Sequence, residues 1–315
     1  MDAPSASKTG RKRLGVTLAG VTLESPLVLA SGILGVSASS MDLVARHGIG
    51  AVTTKSFSLE ERLGHKGPTI VAFEHGLLNA VGLSNPGWEG ATAEIRSFKE
   101  RSRTPIIASI FGKSVEEYGQ VAQRAAEAGP DLIEVNVSCP NVASEFGTPF
   151  EADATALARL TGDVKRAAGK IPVSVKLSAN FGVIARMARI CEESGADAIT
   201  AINTVGPGMI IDLNVRRPVL SNRAGGVSGG AILPVAVRSV YEIARSVKLP
   251  IIGTGGVSSA KDALQLILAG ATAVGVGTAL MDGLGLVDEI HEGLRAWLES
   301  KGVSSIEEIR GAAHA

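Results

Sequence analysis

Along residues 26–280, short runs of β-branched and aliphatic residues alternate with longer stretches whose apolar positions recur at helical spacing. The runs are PLVLASG (26–32), AVTTKS (51–56), PIIASIFG (105–112), LIEVNVSC (132–139), PVSVKLSA (172–179), AITAINTV (198–205), PIIGTGG (250–256) and AVGVGTAL (273–280). Each is the length of a buried strand, and each ends in small or polar residues. Between them, SVEEYGQVAQRAAEAG (114–129) places Val115, Tyr118, Val121, Ala122 and Ala125 on one helical face, and SAKDALQLILAG (259–270) opens on a serine cap. Eight strand–helix units of this kind predict a parallel sheet, and their number favours closure into an α/β (β/α)8 TIM barrel over an open doubly wound sheet.

The pattern breaks in three places. LGVTLAGVTLES (14–25) alternates around Ala19-Gly20 and predicts a short N-terminal β-hairpin, a lid and not a barrel strand. Residues 57–87 and 206–230 are too long for simple connections, and both follow C-terminal strand ends. That is the face on which a barrel carries its chemistry, so these inserted loops are expected to cover the site. The organisation expected is a disordered tail over 1–13, one barrel domain over 14–302 and a C-terminal extension over 303–315.

Composition narrows the function classes. Lys and Arg number 31 against 31 Asp and Glu, so no net basic field favours nucleic acid or anionic membrane. Aromatics are 3% of the chain, too few for a stacking platform for single strands. With 45% hydrophobic residues the chain can bury a large core, and its 38 glycines lack any collagen-like period. Glycine in this quantity suggests tight turns and close backbone approach to a ligand. Two cysteines make no disulfide framework, the N-terminus has no apolar stretch after its basic residues, and no apolar run could span a bilayer. A cytoplasmic, soluble protein is the expectation.

The strand ends carry the candidate chemistry: Ser31, Lys55, Ser109, Asn136, Cys139, Lys176, Asn203, Gly255, Gly256, Gly277 and Thr278. One polar terminus is ordinary loop chemistry, whereas polar or glycine termini on every strand suggest a shared pocket. GTGG (253–256) and GVGT (275–278) close the last two strands, where barrels commonly hold phosphate on backbone N–H groups. Lys55 and Lys176 interrupt apolar strands, and a buried ammonium needs an anion. Either a neighbouring carboxylate such as Glu134 supplies it, or both lysines face an anionic ligand. Cys191 falls on the apolar face of a helix with Ile184, Met187 and Ala188 and reads as packing, whereas Cys139, between asparagines at a strand end, suits acid–base or nucleophilic work. The histidines, His47, His65, His75, His291 and His314, read as surface residues, and no metal-ligand spacing or serine elbow occurs. Asn79, Asn136, Asn141 and Asn203 can each donate and accept, as a planar imide or amide would require, although turn chemistry also explains loop asparagines.

ASG (30–32), TTKS (53–56), LLNAVGLSNPG (77–87), NVSCPN (136–141), VKLSAN (175–180), INT (202–204), GGVSGGAI (225–232), GTGG and GVGT together make the chain resemble the class 1 dihydroorotate dehydrogenases, soluble FMN enzymes of pyrimidine biosynthesis, from about residue 14 to 300. The resemblance implies oxidation of (S)-dihydroorotate to orotate, with Cys139 removing the C5 proton while hydride leaves C6 for N5 of FMN. It implies a substrate site of Lys55, Asn79, Ala80, Val81, Gly82, Leu83, Asn136, Asn141, Asn203 and Thr204, with residues 140–150 as lid. For FMN it implies Ser31, Lys55, Ser56, Asn136, Lys176, Ile202, Gly229, Gly255, Gly256, Gly277 and Thr278. Ser109 stands where many relatives have an asparagine on FMN, and is expected to reach the cofactor through a water or a small ring shift. TTKSFSLEERLGHKGPT and the extended LLNAVGLSNPG resemble the NAD-linked form, a homodimer within a heterotetramer whose second subunit carries FAD and an iron–sulfur cluster; the other form is a homodimer that uses fumarate. The alternatives are another FMN barrel oxidoreductase acting on a reduced pyrimidine base, and a non-catalytic phosphate-binding barrel.

Overall fold

The computed structural model describes residues 13–138, 150–180 and 182–315. The chain opens with an antiparallel hairpin of β1 (Val16–Leu18) and β2 (Val21–Leu23), turning through Ala19 and Gly20, both at positive φ. Next come β3 (Leu27–Leu29) and β4 (Ala51–Thr53), then a second hairpin of β5 (Ile70–Phe73) and β6 (Gly76–Asn79). β7 (Ile106–Ile110), β8 (Leu132–Asn136), β9 (Val173–Leu177) and β10 (Ala198–Ala201) follow. Four short strands, β11 (Val205–Gly208), β12 (Ile211–Asp212), β13 (Arg217–Pro218) and β14 (Gly225–Ser228), precede β15 (Ile251–Thr254) and β16 (Ala273–Val276).

β3, β4, β7, β8, β9, β10, β15 and β16 form a closed parallel barrel in chain order, and each lies inside one of the eight runs named above. Buried on both faces, such strands read as nearly continuous apolar runs. The described helices around them are α1 (Ala38–Ala45), α2 (Gly87–Arg101), α3 (Val115–Glu127), α4 (Ala154–Ala168), α5 (Ile184–Glu193), α6 (Leu233–Ala244), α7 (Ala260–Leu268) and α8 (Gly285–Ser300). α3 buries the five residues assigned to its apolar face, and Ser114 accepts from the Glu117 N–H as N-cap, a contact worth about 1 kcal/mol. Ser259 caps α7 in the same way, and Cys191 is buried in α5 beside Ile184, Met187 and Ala188, where desolvation pushes its thiol up to about 12.

The two long connections meet each other. β5 and β6 come from the first and β11 and β14 from the second, and together they form one antiparallel sheet in the order β11-β14-β6-β5. Because these segments leave C-terminal strand ends, the sheet sits on the mouth of the barrel. The N-terminal hairpin lies at the other end, since β2 runs directly into the start of β3. It is therefore a plug for the closed end and not a lid over the mouth, and Val16, Leu18 and Leu23 join the barrel core.

One more expectation is corrected at that closed end. His291 is 5% exposed, not a surface residue: it occupies the inward face of α8 with Val287, Ile290 and Leu294, and its Nε2 lies 2.6 Å from the Ser25 hydroxyl. Burial, reinforced by Arg295, drives its pKa down to about 4. The C-terminal segment also packs, with Ile306 and Ile309 buried, the Gly311 N–H donating to the Ile267 carbonyl and His314 stacked on Tyr241. Arg13, assigned to the tail, donates to the carbonyls of Val303 and Ser304; the tail's other residues, 1–12, lie outside those described.

Candidate active site

A cavity of about 900 Å³ opens at the mouth, near the upper end of ordinary ligand pockets. Barrel strand ends supply its floor and the four-stranded sheet its roof. Of the residues assigned to the site, Ser31, Lys55, Ser56, Asn79, Val81, Gly82, Leu83, Asn136, Lys176, Ile202, Asn203, Thr204, Gly229, Gly255, Gly256, Gly277 and Thr278 all line it. Residues about 250 positions apart in sequence thus share one wall because the barrel closes β16 onto β3.

Lys176 meets the neighbouring carboxylate and also faces the cavity. Its Nζ donates to the Ser31 hydroxyl at 2.8 Å and stands 3.7 Å from Glu134 Oε1, while its side chain forms part of the cavity wall. Register explains the pairing: β8 and β9 run side by side, and Glu134 and Lys176 both project into the barrel. Lys55 differs from expectation in place. It lies beyond the end of β4, in the segment leading to the roof, and reaches the cavity from there.

The amides meet beside Lys176, at the ends of the two strands that flank β9. Asn203 donates to Asn136 Oδ1 at 3.4 Å and to the Ser138 hydroxyl at 3.0 Å, and its own Oδ1 accepts the Thr204 N–H at 2.8 Å. Tyr118 of α3 donates to the Asn136 carbonyl at 2.7 Å, fixing the end of β8. Asn79, on β6, donates to the Gly226 carbonyl of β14 at 3.2 Å and so locks the roof across its central pair.

At the ends of β15 and β16 the wall is bare backbone. Gly255 and Gly256 take φ of +127° and +80°, and a Cβ on Gly256 would stand 2.7 Å from the Leu233 backbone N, so only glycine fits. This cradle, with the Thr278 hydroxyl bonded to Ser228 at 2.8 Å, suits a phosphate. The Lys176 charge and the apolar side chain of Ile202 suit a flat, electron-accepting ring in the same cavity. The residues present therefore fit FMN.

Two assigned residues do not line the cavity. Ala80 is buried in a satellite cluster with Leu78 and Leu220, residues that do not line the cavity. Ser109 is fully buried one layer below the floor, within 2.8 Å of the Ser56 hydroxyl and 3.0 Å of Glu134. Cys139, Asn141 and all but the last residue of the segment assigned as a lid lie outside the described residues. Sequence reasoning passed over Ile33, Ser228, Thr254 and the β5–β6 residues Phe73 to Leu77, which also line the cavity. Ser228 immediately precedes Gly229 in GGVSGGAI, and that adjacency was the available signal.

At the other side of the mouth, Glu151 is 2% exposed and accepts from both the N–H and the hydroxyl of Ser178, just past β9. Burial raises its pKa to about 7 against the pull of those two donors. Among the described residues no helix is long and apolar enough to cross a membrane.

Comparison with known proteins gives one result throughout. Residues 13–298 match the family model described as dihydroorotate dehydrogenase. The chain is 44% identical over 308 residues to the dihydroorotate dehydrogenase B (NAD(+)), catalytic subunit, of Methanosarcina mazei, covering 97% of each chain. The protein of the same name from Methanothermobacter thermautotrophicus is 44% identical over 302 residues, 96% of this chain and 98% of its own. That of Pelobacter propionicus is 44% identical over 299 residues, 94% and 97% respectively.

Proposed function

Because the chain belongs to the dihydroorotate dehydrogenase family, we propose that this cavity oxidises (S)-dihydroorotate to orotate in pyrimidine biosynthesis, with FMN as its cofactor. The observation that carries the reading is the division of one cavity into a glycine cradle with a fixed cation and a wall of paired amides. When bound, FMN supplies the hydride acceptor.

The chain's own residues do the rest. Ser31 and Glu134 hold Lys176 in place, so its positive charge is preorganised where negative charge develops during hydride transfer. Asn79, Asn136, Asn203 and Thr204 orient the pyrimidine, and Lys55 offers its carboxylate a counter-charge. Cys139 is our assignment for the base that takes the C5 proton; its support is the NVSCPN segment and the placing of its neighbour Ser138 against Asn203. The β5–β6–β14–β11 roof excludes water from the reacting centre.

We extend the relatives' NAD(+) and catalytic-subunit designation to this chain: a homodimer in a heterotetramer, passing electrons to NAD through a subunit with FAD and an iron–sulfur cluster, in the cytoplasm. The test of the substrate is turnover with dihydroorotate against dihydrouracil, using an artificial electron acceptor. A site built to bind the carboxylate should favour dihydroorotate on the order of 10⁴-fold in kcat/KM. Equal turnover would move the protein to a reductase of uncharged pyrimidines.

A further inference from the structure

Glu134 is a carboxylate 3% exposed inside the barrel, below a cavity it does not line. It sits at the end of a row of hydrogen bonds whose direction can be worked out atom by atom. A carboxylate only accepts, so Ser109, 3.0 Å away, must donate its one hydroxyl proton to Glu134. Ser109 can then only accept from Ser56 at 2.8 Å, which makes Ser56 the donor. With its own proton spent, Ser56 must accept from Asn136, and Asn136 therefore turns its NH2 toward Ser56 at 3.3 Å. That leaves Asn136 Oδ1 for the Asn203 NH2, and Asn203 Oδ1 for the Thr204 N–H.

We propose that Glu134 is a positioning residue for substrate recognition, acting through Ser109 and Ser56 to hold the Asn136 and Asn203 amides in one orientation. The inference rests on the proposed function for the identity of the ligand, but the row itself does not. Among the described residues, the row leaves Asn136 one N–H and one oxygen lone pair, and Asn203 one oxygen lone pair, and both residues line the cavity. A neighbouring donor and acceptor complement the C=O and N–H of an imide edge. If the row ran the other way, Asn136 would flip and turn its NH2 toward that of Asn203, which the Thr204 N–H holds in place, and so present the wrong partner to the same ligand.

Ser109 takes its meaning from this row. A serine hydroxyl has a single proton, so it transmits direction from one neighbour to the next, whereas an amide in that place would both donate and accept independently. The same carboxylate oxygen stands 3.7 Å from Lys176, so Glu134 ties the amide wall and the cation to one group.

The experiment compares wild type, Ser109→Ala and Glu134→Gln, each loaded with FMN. Orotate affinity is measured from the perturbation of the flavin spectrum, and the FMN midpoint potential is measured without substrate. Ser109→Ala should keep its FMN and its potential and bind orotate roughly tenfold more weakly, since a buried hydroxyl and amide lose their fixed partner. Glu134→Gln, whose amide allows either direction, should weaken orotate similarly and shift the potential to more positive values, because an anion beside Lys176 is gone. Unchanged orotate binding in Ser109→Ala, with weakening confined to Glu134→Gln, would show that Glu134 acts only through Lys176 and overturn the row. Wild type that ignores orotate would instead reject the proposed function. The side-chain NH2 signals of ¹⁵N-labelled Asn136 and Asn203 then decide: they move in Ser109→Ala if the row controls them and stay fixed if it does not.

Discussion

The two ends of the barrel are made from the same eight strands and solve opposite problems. At the N-terminal end the β1–β2 hairpin closes the barrel with Val16, Leu18 and Leu23, and the buried polar pair there, Ser25 and His291, satisfies itself without charge. At the C-terminal end the strands stop in serine, asparagine, lysine and glycine, and the roof leaves a cavity of about 900 Å³. Ionisable groups are buried there as well, in Lys176, Glu134 and Glu151, but they are held by partners. The closed end invests its buried polar groups in packing, and the open end holds its buried polar groups ready for a ligand.

The largest effect that separates the ends is catalytic. Cys139→Ala should lower kcat by about 10²–10⁴-fold, the usual contribution of a general base, with FMN content unchanged. Stopped-flow reduction by dihydroorotate measures the first and the absorbance ratio the second. Loss of FMN in this variant would make Cys139 structural and erase the functional contrast.

A second effect sets the ends against each other in pH. His291 is neutral when buried, so its contribution is complete above pH 6.5 and is lost as pH falls toward its folded value of about 4. Glu151 keeps its proton up to about 7, so its contribution is complete below the ordinary carboxyl value of 4.5 and is lost as pH rises through 7. Each is worth about 3 kcal/mol across its window, with opposite slopes. Urea midpoints of the wild type should therefore change little between pH 4.5 and 6.5 from these two groups. Glu151→Gln should become more stable as pH rises through that window, and His291→Gln less stable. Parallel curves for all three proteins would show that neither group is buried as described.

A smaller effect belongs to the glycine cradle. Gly256→Ala adds a Cβ at positive φ against the Leu233 backbone, a strain of about 1–3 kcal/mol. It should weaken FMN binding measured by fluorescence recovery, whereas Gly302→Ala, at positive φ in open space, should leave FMN affinity alone.

How much of this was legible beforehand follows from whether a feature is local. The order of strands, the inward face of α3 and the Ser259 cap follow from local period and capping chemistry, and they stand as read. His291 was also legible: it lies four residues from Val287 and three from Leu294, on the buried stripe of α8, and reading histidine by type instead of by position hid it. The burial of Ser109 and Ala80 was not legible. Ser109 faces Ser56, 53 residues away, and Ala80 packs on Leu220, so both depend on register and on the roof that joins two distant insertions. Motif resemblance named many of the cavity's residues, but Ser109, which it assigned to the cofactor, lies in the layer beneath.

The measurement that tests the central claim most directly is an anaerobic visible spectrum of the purified protein before and after dihydroorotate. A yellow protein that dihydroorotate bleaches, and dihydrouracil does not, is the result expected from one cavity holding FMN and a carboxylated dihydropyrimidine together. A flavin-loaded protein left yellow by dihydroorotate would contradict it.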